Sequence, residues 1–370
     1  MAEPLKNQFG PEIPNRIAGM IRAVHPEFPT SAFLADATTG FDALDLTPRA
    51  WRIARALRSH LPEDYAEAAR ILIASLGPKL DKTEKLGMSV FLYLPHVFFV
   101  AEYGLDHFEL SMRAQYELTQ RFTAEFSIRP FLERYPGKTL SLLRTWARDP
   151  SPHVRRLVSE GTRPRLPWAP RLREFQKDPR PVLKLLELLK DDPELYVRRS
   201  VANNLNDIGK DHPDLLAKTA RTWMGDASEE RQWVIRHALR SAVKRGEAGA
   251  LDVLGFGKKA QVDIRKVSLS PKRASVVGSI EISFDVVNTG TRQQRLLVDL
   301  SVYFVKVNGK TSPKVFKLKT VELEAKESIR LSKKISFREM TTRKHYPGKH
   351  RVDVMVNGRA EKIGSFELVY

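Results

Sequence analysis

The segment Asp149-Pro-Ser-Pro-His-Val-Arg-Arg-Leu-Val158 decides the fold, because it recurs 43 residues later as Asp192-Pro-Glu-Leu-Tyr-Val-Arg-Arg-Ser-Val201. In both copies we expect the aspartate to cap a helix N-terminus and the following proline to occupy the first helical position. Val234-Ile-Arg-His-Ala-Leu239 is a degenerate third copy. A period of about 40 residues with this content is typical of HEAT-like helix pairs that stack into a solenoid.

Helical spacing of apolar residues extends on both sides of these copies, from about residue 16 to residue 255. Examples are Trp51-Arg-Ile-Ala-Arg-Ala-Leu57 and Pro181-Val-Leu-Lys-Leu-Leu-Glu-Leu-Leu189, with proline, glycine and aspartate between such runs. The pattern predicts a series of helices of about 10 to 18 residues each.

The pattern changes to a period of two after Gly255-Phe-Gly257. Ile280-Glu-Ile-Ser-Phe-Asp-Val286 and Val298-Asp-Leu-Ser-Val-Tyr-Phe304 alternate apolar and polar residues, and Asn308-Gly309 is a turn signal between strands. Six or seven short strands in this length favour an immunoglobulin-like sandwich. The predicted fold is therefore multidomain, with an all-α HEAT-like domain over residues 1–256 and an all-β immunoglobulin-like sandwich over residues 257–370.

Positive charge is concentrated at the C-terminal end. The chain has a formal net charge of +18, and residues 258–370 hold 24 lysines and arginines against 11 aspartates and glutamates. Such a surplus attracts polyanions. A lysine-rich surface that only aids solubility is the alternative; an anionic membrane fits less well, because no amphipathic anchor accompanies the charge.

Several kinds of chemistry have no support in the sequence. There is no cysteine, so disulfides, thiolate catalysis and cysteine-based metal sites are excluded. The nine histidines show no helical metal-binding pair, and no P-loop is present, so neither a metal nor a cofactor is expected. No stretch is long and apolar enough for a membrane span, and we expect a cytoplasmic protein.

The repeats suggest both an acidic and a basic feature on the solenoid. Glu160 and Asn203 occupy equivalent repeat positions and Asp207 lies one turn further, so Glu160 and Asp207 could face one groove, as could Glu125. Capping or surface roles for these acids are the alternative. The arginines of the repeats could form a basic stripe for phosphates or could pair with neighbouring acids: they are Arg155, Arg156, Arg198, Arg199 and Arg236.

Two segments resemble the AlkC branch of the AlkC/AlkD DNA glycosylases. They are Arg144-Thr-Trp-Ala-Arg-Asp-Pro-Ser-Pro-His-Val-Arg-Arg-Leu-Val-Ser-Glu-Gly-Thr-Arg-Pro-Arg-Leu-Pro-Trp168 and Asp192-Pro-Glu-Leu-Tyr-Val-Arg-Arg-Ser-Val-Ala-Asn-Asn-Leu-Asn-Asp207. The likeness runs from Leu5-Lys-Asn-Gln-Phe-Gly10 to about Gly255. Some members of that branch also carry a C-terminal immunoglobulin-like domain, so the resemblance covers nearly the whole chain.

The resemblance implies a monofunctional glycosylase that removes 3-methyladenine and 3-methylcytosine from DNA without flipping the base into a pocket. In that family carboxylates contact the deoxyribose, and the matching positions are Glu125, Glu160 and Asp207, with Trp168 as aromatic partner. A cationic base leaves readily, so the carboxylates need only stabilise the oxocarbenium ion and orient water. Trp168 could instead simply pack beside its neighbouring prolines.

DNA is thus the expected partner, bound by a protein that we expect to be a monomer. Beyond the stripe and Trp168, the predicted DNA-binding residues are Arg163, Lys314, Lys317 and Lys319. We also expect residues 258–370 to clamp DNA from the side opposite the helical array. The alternatives are a non-catalytic DNA-binding protein and a HEAT-type scaffold whose sandwich holds a protein partner.

Overall fold

The structure, a computed structural model, describes residues 5–83, 87–338 and 344–370. Fifteen α-helices occupy its N-terminal two thirds, with short 3-10 helices at Leu5–Gln8, Phe41–Ala43 and Ser89–Tyr93. The α-helices are α1 (Glu12–Arg22), α2 (Thr30–Thr38), α3 (Leu46–His60), α4 (Tyr65–Ala74), α5 (Leu94–Tyr103), α6 (Phe108–Thr119), α7 (Ile128–Arg134), α8 (Pro136–Trp146), α9 (Pro152–Gly161), α10 (Arg173–Lys177), α11 (Arg180–Leu189), α12 (Leu195–Ile208), α13 (Pro213–Met224), α14 (Glu229–Lys244) and α15 (Ala248–Val253).

Eight strands follow the helices in the described part of the chain. They are β1 (Val262–Ser270), β2 (Arg273–Ser275), β3 (Ser279–Asn288), β4 (Gln294–Val305), β5 (Thr311–Leu323), β6 (Ser328–Ser336), β7 (Gly348–Val356) and β8 (Arg359–Val369). One sheet has the order β1-β3-β6 and the other the order β2-β8-β7-β4-β5. Their inward-facing side chains, among them Phe284, Leu300 and Phe366, form one buried core. The predicted helical region followed by an immunoglobulin-like domain is confirmed.

The strand count exceeds the predicted six or seven because β2 is too short to show alternation. Its three residues pair in parallel with the end of β8, from Arg273 opposite Glu367 to Ser275 opposite Val369. A strand of this length buries only Ala274, so its sequence carries no period-two signal.

The described residues form two compact units. The helical unit comprises the described chain up to Asp211 together with Ala227–Ala238. The sandwich unit comprises His212–Asp226 and Leu239–Tyr370, so α13 and α15 belong with the strands. The change from helix to strand lies between Val253 and Val262. A domain boundary between residues 256 and 257 stays a prediction.

The repeated segments form turns that differ from the predicted caps. The N-cap residues are Ser151 for α9 and Glu194 for α12, so the assignment of Asp149 and Asp192 as caps was wrong. Each aspartate instead accepts a hydrogen bond from the backbone N–H two residues on, at 2.8 Å for Ser151 and 2.9 Å for Glu194. Such local turns are the usual alternative to capping for this side chain.

Helices α9 and α12 pack side by side in the helical unit, and α11 contacts both. Asn204 on α12 is fully buried between them and donates to the Ser159 carbonyl at 2.7 Å and to Thr162 Oγ1 at 3.1 Å. This side chain fixes the two repeat helices relative to each other, which matters because each carries one of the predicted carboxylates.

His96 on α5 is buried in an apolar part of the helical unit. Neither of its ring nitrogens has a hydrogen-bond partner, and burial lowers its pKa to about 4. Between pH 6.5 and pH 4, His96 is therefore protonated in the unfolded chain, where its pKa is ordinary, and neutral in the folded chain. Stability from this residue is present above that window and is lost as the pH falls through it.

We expect His96→Leu to remove this pH dependence. Relative to the variant, the wild-type protein should lose about 2 kcal/mol of unfolding free energy between pH 7 and pH 5. Urea unfolding of both proteins at the two pH values measures the difference. His25→Leu, which changes a partly exposed histidine, is the control. If the wild type and His96→Leu lost the same unfolding free energy between pH 7 and pH 5, another group would be responsible for the pH dependence.

Candidate catalytic cleft and nucleic-acid interface

A cleft of about 370 Å³ opens on the helical unit beside α9 and α12. Two predicted carboxylates, Glu125 and Glu160, line it together with two predicted arginines, Arg156 and Arg163. Its other lining side chains are mostly apolar or aromatic and include Phe91, Phe122, Phe126, Trp168 and Tyr196. Charged groups on an apolar wall are typical of a binding or catalytic site.

Glu160 is the most constrained carboxylate of the cleft. One of its oxygens accepts from Arg163 Nη1 at 2.6 Å, and the other accepts from Ser200 Oγ at 2.5 Å. Arg156 Nη2 lies 3.6 Å from the first oxygen. Burial alone would raise the pKa of Glu160, but the two guanidinium groups and the Ser200 hydroxyl outweigh burial and hold the pKa below its usual range. Glu160 is therefore a fixed negative charge.

Asp207 lies behind Arg163 and is only 1% exposed. Its oxygens accept from Arg163 Nε at 2.8 Å and from Lys210 Nζ at 2.7 Å. It is not among the residues that line the cleft, so it reaches the cleft through Arg163 rather than directly. The structure thus brings Glu160 and Asp207 together on one arginine, from positions 47 residues apart in the sequence.

Glu125 lies between α6 and α7 and is joined to the other carboxylates through Arg156. Its Oε2 accepts from Arg156 Nη1 at 2.7 Å and from Thr123 Oγ1 at 2.8 Å. The Arg156 guanidinium also lies 5.1 Å from the centre of the Tyr196 ring, a cation–π arrangement. Its two carboxylate neighbours outweigh burial and raise the pKa of Arg156, so this side chain stays cationic.

Six side chains form a continuous row of alternating charge, which we call the charge chain. In order they are Lys210, Asp207, Arg163, Glu160, Arg156 and Glu125, and each contacts the next within ion-pair distance. Three positive and three negative charges balance, which allows a largely buried cluster to remain ionised. The charge chain holds two carboxylates at fixed positions on the cleft wall.

Trp168 stands at the cleft with its side chain in solvent. It is 71% exposed and its backbone φ is 64°, in the left-handed region that a bulky residue adopts only under constraint. It belongs to the segment of residues 162–170 that follows α9, which we call the Trp168 loop. An exposed indole beside buried carboxylates is available for stacking, and strained residues of this kind cluster at functional sites.

The arginines of the predicted stripe have three different environments. Arg155 and Arg198 each donate to two carbonyls of their own repeat turn, and Arg155 also forms a two-bond ion pair with Asp192. Arg156 belongs to the charge chain. Arg199 and Arg236 are exposed. The alternative of pairing with neighbouring acids thus describes Arg155 and Arg156, and phosphate binding by the exposed Arg199 and Arg236 stays a prediction.

The three predicted lysines of the sandwich lie on β5, an outer strand of the five-stranded sheet. A bulge interrupts the pairing of β5 with β4 at Leu318, and both Lys317 and Lys319 are exposed. Lys314 differs, because its ammonium lies 4.7 Å from the centre of the Phe316 ring, whose side chain packs against the core. Lys317 and Lys319 therefore form the exposed basic pair of this strand.

Several contributors to the site were missed in the sequence, among them four that bind or support the charged side chains and the loop. Lys210 follows Asp207 by three residues, a helical spacing that could have indicated the ion pair. Ser200 and Tyr196 face the site from α12, but neither shows a distinguishing pattern. Arg129 supports the Trp168 loop from a distant segment, as described below.

Across residues 5–83, 87–338 and 344–370, no group of three or more histidine and acidic side chains is arranged to hold a metal ion. Within the same residues, no helix has the length and apolarity needed to cross a membrane.

Two family models match this chain. Residues 122–242, which contain the charge chain, match the family described as "DNA alkylation repair enzyme". Residues 263–370 match "Uncharacterised protein YhaZ, C-terminal Ig-like domain". The first match thus covers the charge chain and most of the residues that line the cleft, and the second covers nearly all of the β-sandwich strands.

Two known proteins are similar to this chain over nearly its whole length. "Uncharacterized protein YhaZ" of Bacillus subtilis (strain 168) is 36% identical over 365 residues, which are 98% of this chain and 99% of that protein. The solved structure of Pseudomonas fluorescens alkylpurine DNA glycosylase AlkC, bound to DNA containing an abasic site analog, is 40% identical, covers 100% of both chains and has a TM-score of 0.91. The chain belongs to the AlkC-like family of DNA alkylation repair enzymes.

Proposed function

We propose that this protein is a DNA glycosylase that excises cationic N3-methylated bases, 3-methyladenine and 3-methylcytosine, from alkylated DNA. The observation that carries the proposal is the ionised Glu160 in an open cleft of a chain 40% identical to alkylpurine DNA glycosylase AlkC. A base-release assay on alkylated duplex DNA tests it. The proposal includes a monomer that acts in the bacterial cytoplasm without a metal or cofactor.

The charge chain suits the excision of a cationic base. When the bond from C1′ to the base nitrogen breaks, its electron pair neutralises the positive base, which leaves as a neutral molecule, and positive charge develops on the sugar. Glu160 and Glu125 line the cleft and can stabilise that charge without any reorganisation. Water then adds to C1′ and gives up a proton to a carboxylate or to solvent, leaving an abasic site. No lysine nucleophile is needed, so the proposed activity is monofunctional.

The proposed roles of the other site residues follow from their positions. Asp207 holds Arg163 beside Glu160, and so fixes the positions of the three side chains relative to one another. Trp168, exposed at the cleft, would stack on the deoxyribose or on the cationic base. The open cleft supports approach to a sugar from outside the helix, and we propose that the base is removed without being flipped into a pocket.

We further propose that the sandwich binds the DNA backbone as a second contact. Its surplus of 13 positive charges exceeds what a β-sandwich needs for its fold. A cleft of about 280 Å³ within the sandwich unit is lined by four cations, Lys258, Lys259, Arg292 and Arg295, and by no acidic residue. Backbone contacts of this kind would hold a distorted duplex in place.

We expect Lys317→Gln/Lys319→Gln to weaken DNA binding regardless of sequence. If both lysines contact phosphates, the slope of log K against log salt becomes shallower by about 2. Fluorescence anisotropy with a labelled duplex at several salt concentrations measures this slope. Arg134→Gln/Lys177→Gln is the control, because it removes the same charge from two cations already paired with Asp106 and Glu174. An identical slope in wild type and the lysine variant would remove β5 from the proposed interface.

A further inference from the structure

Arg129 on α7 is a buried arginine whose hydrogen bonds converge on one segment. Its Nη1 donates to the Gly161 carbonyl at 3.1 Å and to the Arg163 carbonyl at 2.9 Å, and its Nη2 donates to the Pro170 carbonyl at 2.5 Å. All of its hydrogen bonds in the described part of the chain go to backbone carbonyls. The side chain thus joins the two ends of the Trp168 loop.

Keeping this side chain buried costs free energy. Arg129 is 4% exposed, its Nε has no partner, and burial lowers its pKa to about 10. A buried guanidinium that is hydrogen-bonded only to carbonyls gains less stabilising free energy than one paired with a carboxylate.

The loop held by Arg129 carries two residues of the cleft in a constrained conformation. Arg163, near its start, joins Glu160 to Asp207, and Trp168, near its end, has a φ of 64° with its indole in solvent. The approach of α9 to α7 also depends on Gly161, since a Cβ there would lie 2.5 Å from Ile128 Cγ2. The hydrogen bonds of Arg129 and the close approach of Gly161 to Ile128 together fix where the Trp168 loop leaves α9.

We propose that Arg129 is a positioning residue that holds the Trp168 loop in its strained conformation, so that Arg163 and Trp168 are placed for the reaction. Arg129 is not among the residues that line the cleft, so it acts on bound DNA only through the loop. This inference deepens the proposed function and rests on it for the effect on excision, but the state of the loop in the free protein is independent of any activity.

The first test measures how readily the Trp168 loop opens in the protein without DNA. Arg165 is followed by the buried Leu166, so trypsin can cut after Arg165 only when the loop opens. We expect this cut to be at least about tenfold faster in Arg129→Lys, because an ammonium cannot span three carbonyls. Arg129→Gln, which also removes the buried charge, is the second variant if the lysine variant does not fold.

Arg49 provides a matched control for both variants. It is 7% exposed and donates to four carbonyls, those of Phe41, Leu44, Lys6 and Phe9, and no cleft residue is among them. Arg49→Lys should leave the cut after Arg165 at the wild-type rate. A wild-type cutting rate in folded Arg129→Lys and Arg129→Gln, or equal acceleration in Arg49→Lys, would overturn the proposal.

The second test measures excision under single turnover with saturating enzyme. Misplacement of the loop in Arg129→Lys should slow base release by about 10²-fold, and Arg49→Lys should retain the wild-type rate. In the Trp168→Ala background the Arg129 substitution should cost less than in the wild-type background, because the part of its effect that acts through Trp168 is already lost. Full additivity would overturn the proposal. Absence of base release by the wild-type protein would instead contradict the proposed function and leave the trypsin result unaffected.

Discussion

Glu160→Gln is expected to lower the single-turnover rate of base excision by about 10²- to 10³-fold while the protein stays folded. The amide has the shape of the carboxylate, so Arg163 can still donate to its oxygen and the hydrogen bond with Ser200 can be kept with the donor reversed. The change therefore removes mainly the negative charge that faces the developing oxocarbenium ion. Quantification of free base released from alkylated duplex measures the effect.

The control for this variant is Asp192→Asn. Asp192 is also a buried carboxylate with an arginine partner, Arg155, but it lies in the turn before α12 and does not line the cleft. We expect it to cost stability and to leave the excision rate of the folded protein near that of the wild type. Excision by Glu160→Gln at the wild-type rate would exclude Glu160 as a catalytic residue.

Arg163→Met is expected to have the largest effect on stability, a loss of about 3–5 kcal/mol. Arg163 is 8% exposed and donates to Glu160 and Asp207, so its removal leaves both buried carboxylates short of a cationic partner. Urea unfolding followed by circular dichroism measures the loss. Arg165→Met gives the contrast, because its ion pair with Asp211 is partly exposed and is worth at most about 1 kcal/mol.

A double variant separates lost charge pairing from lost packing. If unpaired charge causes the destabilisation, Arg163→Met/Glu160→Gln should be more stable than Arg163→Met alone by about 1 kcal/mol or more. A double variant less stable than the single one would mean that Arg163 acts mainly by filling space. The charge chain would then not be the element that holds the carboxylates.

The repeats and the change of period were sufficient to predict the two-part fold. Both signals are local: a segment that recurs after 43 residues, and alternation in strands such as β3. The exact role of Asp149 and Asp192 was not predictable in the same way, because capping and local turns use the same residue types.

The site was predicted less completely, since its connections join distant parts of the chain. Glu160 and Arg163 are only three residues apart, on either side of the end of α9, but Arg163 and Asp207 meet only because α9 packs against α12. The bonds of Arg129 to the Trp168 loop span up to 41 residues. No residue pattern indicated that Trp168 has a left-handed backbone or that its side chain is exposed.

Release of free base from alkylated DNA tests the proposed activity most directly. The protein is incubated with duplex DNA containing 3-methyladenine or 3-methylcytosine, and the products are separated by chromatography, with Glu160→Gln as the control. We predict free methylated base and an intact strand with an abasic site for the wild-type protein, and a rate about 10²- to 10³-fold lower for the variant. Binding of the same duplex with no base released by the wild-type protein would contradict the assignment as a glycosylase and favour a non-catalytic DNA-binding protein.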